Sequence, residues 1–278
     1  MNGILVVNKP KNFTSRDIVN KLNNIFHEKK IGHTGTLDPI ATGVLVICIG
    51  KYTKLVDLLT SFDKEYIAEM KIGIKTDTQD ITGNIIETSD PELTISEVEK
   101  VFNNFPNTYE QVVPKYSAVK VNGKKLYEYA RNNENIVLPT RIVSIYSLEL
   151  ISFEKDIIKF KTRVSKGTYI RQLIEDIAKE LNTIATMYSL NRVKQGDFNI
   201  DNSYTLKDIE NGNYKLLEVS DVFSYPSLEV TDETRNLFEN GNKVKLDTSD
   251  GKYFVKDHNT IIAIYEFIDK VGHILIRL

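Results

Sequence analysis

The chain has 278 residues, 41% hydrophobic and 27% charged, with 36 basic side chains against 38 acidic ones. That length and balance suit one large globular domain with a smaller one attached, and exclude a fibrous repeat or an extended disordered chain. A lone cysteine, Cys48, excludes an internal disulfide, and no apolar run approaches the ~18 residues of a membrane span.

The opening stretch Met1–Lys9 lacks a basic leader, and its apolar run is too short for a signal peptide, so a reducing cytoplasm is the expected compartment. It reads as a short buried strand at Ile4–Val7, followed by a helix capped by Thr14 or Ser15 with Ile18, Val19, Leu22, Ile25 and Phe26 at helical spacing. Gly32–Pro39 reads as loop, Val44–Ile49 as a buried strand and Tyr52–Leu59 as helical. Tyr66–Ile74 predicts a strand, Glu97–Phe105 and Lys125–Arg131 helices, and Arg141–Phe153 with Ile157–Val164 a strand pair joined near Glu154–Asp156. Tyr169–Leu181 carries the clearest amphipathic stripe: Ile170, Leu173, Ile174, Ile177, Ala178 and Leu181. After Tyr225-Pro226 the texture turns to short strands, at Leu228–Val230, Val244–Leu246, Tyr253–Lys256, Ile261–Phe267 and His273–Ile276. Strands interleaved irregularly with helices predict an α+β fold, with a catalytic domain over 1–225 and a small β-rich domain over 226–278.

The net charge of −2 conceals a segregated distribution. Residues 1–60 hold eight basic and four acidic side chains, while residues 158–171 hold Lys159, Lys161, Arg163, Lys166 and Arg171 and no acid. Acids gather within 80–110 and 197–233. Such segregation gives a near-neutral protein one positive face, unless it is plain surface scatter.

Three segments carry candidate chemistry. In Gly32–Leu45 a carboxylate, Asp38, sits in a glycine-rich loop just before a buried strand. Read alone, Asp38-Pro39 is also an ordinary turn initiator, and the lysine and hydroxyl of a phosphate-binding P-loop are missing. In Val164–Arg171 a strand runs into the amphipathic helix, with Thr168 as a plausible N-cap. Arg171 then falls in the first turn, off the apolar stripe, where the helix dipole disfavours a cation. A carboxylate such as Asp38 would satisfy it through a bidentate pair. In Val113–Lys120, followed by Tyr127, Ala130 and Arg131, basic and aromatic residues interleave as RNA recognition requires, a pattern amphipathic surfaces also show.

Together these segments resemble the bacterial TruB family of tRNA pseudouridine synthases. Gly32–Leu45 matches the signature loop of that family, Lys9-Pro10 its N-terminal basic motif, and Asp63-Lys64-Glu65-Tyr66 its tyrosine-bearing segment. Thr76-Asp77-Thr78 with Asp80 and Gly83, then Pro114–Lys120 and Lys166–Arg171, complete six motifs in order. The resemblance covers roughly residues 3–200, and the C-terminal part is similar to the family's PUA-like RNA-binding module. Two departures stand out: Asn133 replaces a usual glycine, and Asn191-Arg192 replaces a usual pair of arginines.

The resemblance implies a mixed, largely antiparallel sheet flanked by helices, with an RNA-binding insertion around 114–140. The implied reaction isomerises the uridine next to the T of the tRNA T-loop to pseudouridine, after the nucleotide is flipped out. Asp38 is the implied covalent or elimination catalyst, kept ionised by Arg171. Tyr66 is the implied stacking partner of the flipped base, and His33 fills the space the nucleotide leaves. Tyr169 and Leu190 line the uracil pocket, and Lys9, Lys120 and Lys166 meet phosphates. The expected partner is the tRNA T-arm, bound by a monomer. No cofactor is expected, because the isomerisation is not a redox step. Nor is a metal expected, because His27, His33, His258 and His273 lie far apart in sequence. Two rivals remain: an RNA-binding protein without turnover, which has no use for Asp38, Tyr66 and Arg171 together, and a glycoside hydrolase, which needs two flanking acids where one is evident.

Overall fold

The computed structural model describes residues 1–132 and 134–278, so the departure at Asn133 lies outside the described residues. The chain opens with β1 (Gly3–Lys9), α1 (Ser15–Phe26), β2 (Ile31–His33) and β3 (Thr42–Ile49). Thr14 caps α1 in a complete capping box with Asp17. A 3-10 turn at Gly50–Leu55 leads into α2 (Val56–Thr60), β4 (Lys64–Ile72), and the ribbon of β5 (Ile74–Thr76) and β6 (Ile85–Thr88). Next come α3 (Ile95–Asn104), β7 (Thr108–Val112), the small hairpin of β8 (Lys120–Val121) and β9 (Lys124–Lys125), and α4 (Leu126–Arg131). The long hairpin of β10 (Thr140–Glu154) and β11 (Ile157–Val164) precedes α5 (Ile170–Glu180), β12 (Ala185–Gln195), β13 (Phe198–Asn199), α6 (Leu206–Glu210) and α7 (Val219–Val222). The C-terminal part holds β14 (Ser227–Glu229), α8 (Asp232–Glu239), β15 (Val244–Lys245), β16 (Gly251–Asp257), β17 (Thr260–Ile268) and β18 (Val271–Arg277).

The expected α+β class holds. The main sheet runs β1-β3-β12-β4-β11-β10-β7, and its pairings are antiparallel except for β12 against β3. Two halves of this sheet bury themselves differently, which explains two sequence textures. The stretches 4–7 of β1 and 44–49 of β3 are continuously apolar because both faces are covered. Leu5, Val7, Leu45 and Ile47 face Ile18, Val19 and Leu22 of α1. Ile4, Val6, Val44, Val46 and Cys48 share a second cluster with Leu59 of α2, Phe254 of β16 and Ile264 of β17. In β4 burial alternates instead: Tyr66, Ala68, Met70 and Ile72 lie in the core with α3 and α5, while Glu65, Ile67, Glu69 and Lys71 are only half-buried.

Two expectations are corrected here, and two elements appear that none covered. The Gly32–Pro39 loop begins inside β2, which pairs with β3 at His33↔Ile47. The strand β12 and the helix α8 had no place in the sequence reading. Thr168 does not cap α5: Tyr169 occupies the N-cap position, and the Thr168 hydroxyl donates to the Ser165 carbonyl at 3.0 Å.

The C-terminal strands form a separate five-stranded sheet, β14-β16-β17-β18-β15. Tyr225 joins it to the first, its ring 5.2 Å from Phe223 and 5.3 Å from Phe254. No helix among the described residues is long and apolar enough to cross a membrane. Because Phe254 belongs to the cluster under β1 and β3, Phe254→Ala is expected to destabilise the whole chain by about 3–5 kcal/mol. Urea unfolding should then show one cooperative transition displaced to lower urea. A transition that moves only for the C-terminal sheet would show that the shared cluster carries little energy.

Candidate active site

Asp38 lies on the loop between β2 and β3, and polar groups from the turn before α1, the start of α1 and β12 fix that loop. The Ser15 hydroxyl, at the start of α1, accepts from Leu37 N at 2.9 Å and donates to Leu37 O at 3.2 Å. Asn12 N donates to Pro39 O at 2.8 Å, and Ala41 N closes a turn onto Asp38 O at 3.0 Å. From β12, Arg192 donates Nε to Val44 O at 2.6 Å and Nη2 to Gly35 O at 3.1 Å. Gln195 Nε2 reaches the Thr34 hydroxyl at 2.7 Å and Leu59 O at 3.0 Å. Gly43 has φ +100°, and a Cβ there would collide with the Arg192 carbonyl oxygen and with Asn191 Oδ1, so only glycine lets β3 approach β12.

The carboxylate meets Arg171 from the first turn of α5. Nε lies 2.9 Å from Oδ2, and Nη2 lies 3.5 Å from Oδ1, a fork with one tight arm. The remaining donors go to backbone: Nη1 to Thr78 O at 3.1 Å and Nη2 to Tyr116 O at 3.0 Å. Thus Arg171 joins the Asp38 loop, the turn between β5 and β6, and the segment after β7. Its side chain is 7% exposed, whereas that of Asp38 is 33% exposed. The cation is sequestered, and the carboxylate it holds still faces solvent. Asp80 shapes the Thr78 turn, its Oδ1 accepting from Thr78 Oγ1 at 3.0 Å and Thr82 N at 2.9 Å.

Tyr66 and Leu190 share one buried cluster with Leu37, Ile40 and Ala41, the apolar neighbours of Asp38 along its loop. Their strands pair directly, Ala68 opposite Leu190 and Tyr66 opposite Arg192. Tyr169 is half-buried, with the Arg141 guanidinium 5.5 Å above its ring. His33 is half-buried on β2, and its Nδ1 accepts from Gly35 N at 3.4 Å. Burial, then the Arg192 and Arg16 charges, hold its pKa below the ordinary value, so the imidazole is neutral at neutral pH.

The basic residues divide sharply. Lys120 and Lys166 are exposed, and neither enters an ion pair among the described residues. Lys9 does not meet phosphates: it is fully buried and donates to Phe13 O at 2.6 Å, Pro10 O at 2.8 Å and Pro39 O at 3.4 Å. The basic run of β11 is not a free patch either. Lys159 pairs with Glu69 at 3.3 Å, Lys161 with Glu65 at 3.0 Å and Arg163 with Asp63 at 2.7 Å, across the solvent face of the sheet. Arg192 is 1% exposed, and Asn191 accepts from the Thr42 hydroxyl at 3.3 Å, so that pair anchors strands. Sequence reasoning gave no role in the site to Ser15, Gln111, Lys64 or Gln195. Ser15 had a signal, since it was weighed as a helix cap, but a hydroxyl turned to a distant loop leaves none.

The family model for the N-terminal domain of the TruB family pseudouridylate synthases matches residues 23–170. A tRNA pseudouridine synthase B of Mesoplasma florum is 43% identical over 95% of this chain and 93% of its own length. Another, of Caldanaerobacter subterraneus subsp. tengcongensis, is 39% identical over 96% and 92%. Among solved structures, a chain of a Cbf5–Nop10–Gar1 complex shares the fold with a TM-score of 0.71, covering 99% of this chain and 84% of that one at 21% identity.

Burial holds the Lys9 pKa down at about 8 against an ordinary 10.5, with Asp38 opposing the shift and Arg192 adding to it. Between those two values the native lysine has lost its proton while the unfolded one keeps it. The unfolded chain therefore binds more protons there, and the Lys9 contribution to stability rises with pH across that window. The stability difference between wild type and Lys9→Met should shift in favour of wild type from pH 8 to 10.5. Urea midpoints measured at both ends test this, and a difference independent of pH would place Lys9 in solvent.

Proposed function

The chain belongs to the TruB family and is a tRNA pseudouridine synthase, and from that premise we propose that Asp38 performs the chemistry on a T-loop uridine flipped into this site. The observation that carries the reading is the Asp38–Arg171 pair: a solvent-facing carboxylate oriented by a buried guanidinium whose three nitrogens all donate.

Isomerisation breaks the N1–C1′ bond, rotates the uracil and joins C5 to C1′. The C5 proton leaves and N1 gains one, so atoms balance without an oxidant. Asp38 acts by attack on C1′, by attack on the base, or by assisting elimination through a glycal, and each route needs an ionised carboxylate within reach of the flipped nucleoside. In a folded T-arm that reach requires extrusion of the nucleotide. Tyr66 stacks on the base and stands at the C5 proton, while Leu190 and Tyr169 close the uracil pocket. A neutral His33 fills the vacated space, a role that suits an uncharged ring beside Arg192. Lys120 and Lys166 contact phosphates. Residues 1–225 form the catalytic unit with its RNA-binding insertion around 114–140, and 226–278 a PUA-like RNA-binding unit. The protein acts as a monomer in the cytoplasm.

Asp38→Asn should form no pseudouridine in an unmodified tRNA transcript while keeping tRNA affinity within about tenfold, because phosphates supply most of the binding energy. Mapping of new pseudouridines tests both parts of the proposal. Modification elsewhere than the T-loop overturns the substrate position, and turnover by Asp38→Asn overturns the catalyst.

Affinity for tRNA should also fall steeply with salt. Lys120→Ala and Lys166→Ala should each flatten the log–log slope by about 0.7–0.9 if each side chain neutralises one phosphate. Slopes equal to wild type in both variants would remove these lysines from the interface.

A further inference from the structure

The start of α5 carries both Tyr169 and Arg171, yet the helix has no side-chain cap of its own. The first amides of a helix lack intrahelical partners, so an uncapped, half-buried start needs a donor and acceptor from elsewhere. Gln111, on the edge strand β7 and 1% exposed, supplies them. Its Oε1 accepts from Tyr169 N at 2.8 Å, and its Nε2 donates to Tyr169 O at 3.2 Å. One amide therefore grips both main-chain groups of a single residue. The Tyr169 carbonyl at the same time accepts the first helical bond from Leu173 N at 2.9 Å.

The grip continues along the helix. Gln111 Nε2 also donates to the Tyr109 hydroxyl at 2.8 Å, which donates to Asp176 Oδ2 at 2.8 Å. Tyr169 and Asp176 lie seven residues apart, about two helical turns, and so share one side of α5. Strand β7 thus clamps the helix at two points. Beyond Gln111 the same chain runs to Tyr116, whose carbonyl is the third acceptor of Arg171. The clamp sets the position of Tyr169, of Arg171, and of the carbonyl that holds Arg171 on Asp38.

We infer that Gln111 is a positioning residue for the isomerisation, acting through Tyr169 and Arg171, with Tyr109 and Asp176 as its second anchor. The inference rests on the proposed roles of Asp38, Arg171 and Tyr169. Gln111 touches no reacting atom, so its loss should slow chemistry and leave RNA contacts in place. Gln111→Met keeps the volume and removes the grip. A displacement of about 1 Å at a reacting group costs on the order of 100-fold in rate.

The test compares wild type, Gln111→Met and Tyr109→Phe in single-turnover reactions on unmodified tRNA transcript at saturating enzyme, alongside tRNA Kd and melting temperature. For Gln111→Met the expected result is a rate lowered by about 30-fold or more, with Kd within about threefold. Its melting temperature should fall by no more than about 10 °C. Tyr109→Phe leaves the grip on Tyr169 and frees only the second anchor, so it should lose about threefold to tenfold in rate. A folded Gln111→Met with a rate within about twofold of wild type overturns the inference. So does a rate loss matched by an equal loss of affinity, since that places Gln111 in binding. If Gln111→Met does not fold, Tyr109→Phe decides, and an unchanged rate there overturns it. A wild-type chain that forms no pseudouridine sinks the functional reading and this inference with it. An active wild type beside an unaffected Gln111→Met sinks the inference alone.

Discussion

A guanidinium cannot lose its charge, so burying Arg171 obliges the fold to bring acceptors to it. It is 6% exposed and sits where the helix dipole repels a cation. Removing one partner of such a group typically costs several kcal/mol, because the remaining charge is left uncompensated. The acceptors come from residues 38, 78 and 116, distant in sequence and irregular in backbone. Each of those loops is held in place by the same need. The pair with Asp38 is therefore the point where three loops agree on one geometry.

A second layer of buried polar groups makes that agreement possible. The Asp38 loop turns main-chain carbonyls toward the interior at residues 34, 35, 37 and 39, as does β3 at residue 44, where water is scarce. Apolar packing leaves such groups unsatisfied, at a cost comparable to a lost hydrogen bond each. Lys9, Ser15, Arg192 and Gln195 satisfy them with side-chain donors from rigid strands and a helix. Lys64 does the same for Thr60 and Phe62 at the mouth of β4, at 2.6 Å each, and burial lowers its pKa to about 8. These residues read as solvent-facing side chains in the sequence and are buried in the structure.

That inversion marks the limit of what the sequence discloses. Alternation exposed β4 and β11, helical spacing exposed α1 and α5, and continuous apolar runs exposed β1 and β3, while β10 was legible as the hairpin partner of β11 despite two register shifts of its own. Periodicity failed at β12, whose register shifts between Met187 and Ser189 and again between Arg192 and Lys194. Each bulge moves later side chains to the opposite face, so no period of two survives across the strand. The pairing of Arg171 with Asp38 followed from the dipole argument, since a cation in a first helical turn calls for a carboxylate. The burial of Lys9 and Arg192 had no such signal, because a lysine beside a strand end reads the same in solvent as under a loop.

Charge counting suffers from the same blindness. Of the basic residues in the first sixty and in 158–171, Lys9 and Arg171 are buried and Lys159, Lys161 and Arg163 are tied to carboxylates of the neighbouring strand and its approach. Cations paired across an exposed sheet present little net field to a phosphate backbone. What is left outside ion pairs among the described residues includes Lys11, Arg16, Lys21, Lys29, Lys30, Lys51 and Lys54 of the first sixty residues and, around β8, β9, α4 and the start of α5, exposed Lys115, Lys120, Arg131 and Lys166 with half-buried Lys125 and Arg141. Here the cations pair with rings instead of acids, Lys125 and Arg131 each 5.4 Å from Tyr127 and Arg141 5.5 Å from Tyr169. A ring does not cancel a charge, so these side chains keep their full attraction for phosphate while the aromatic faces hold them in place. A near-neutral protein thereby keeps uncancelled positive charge on the segments that flank Arg171 and Asp38.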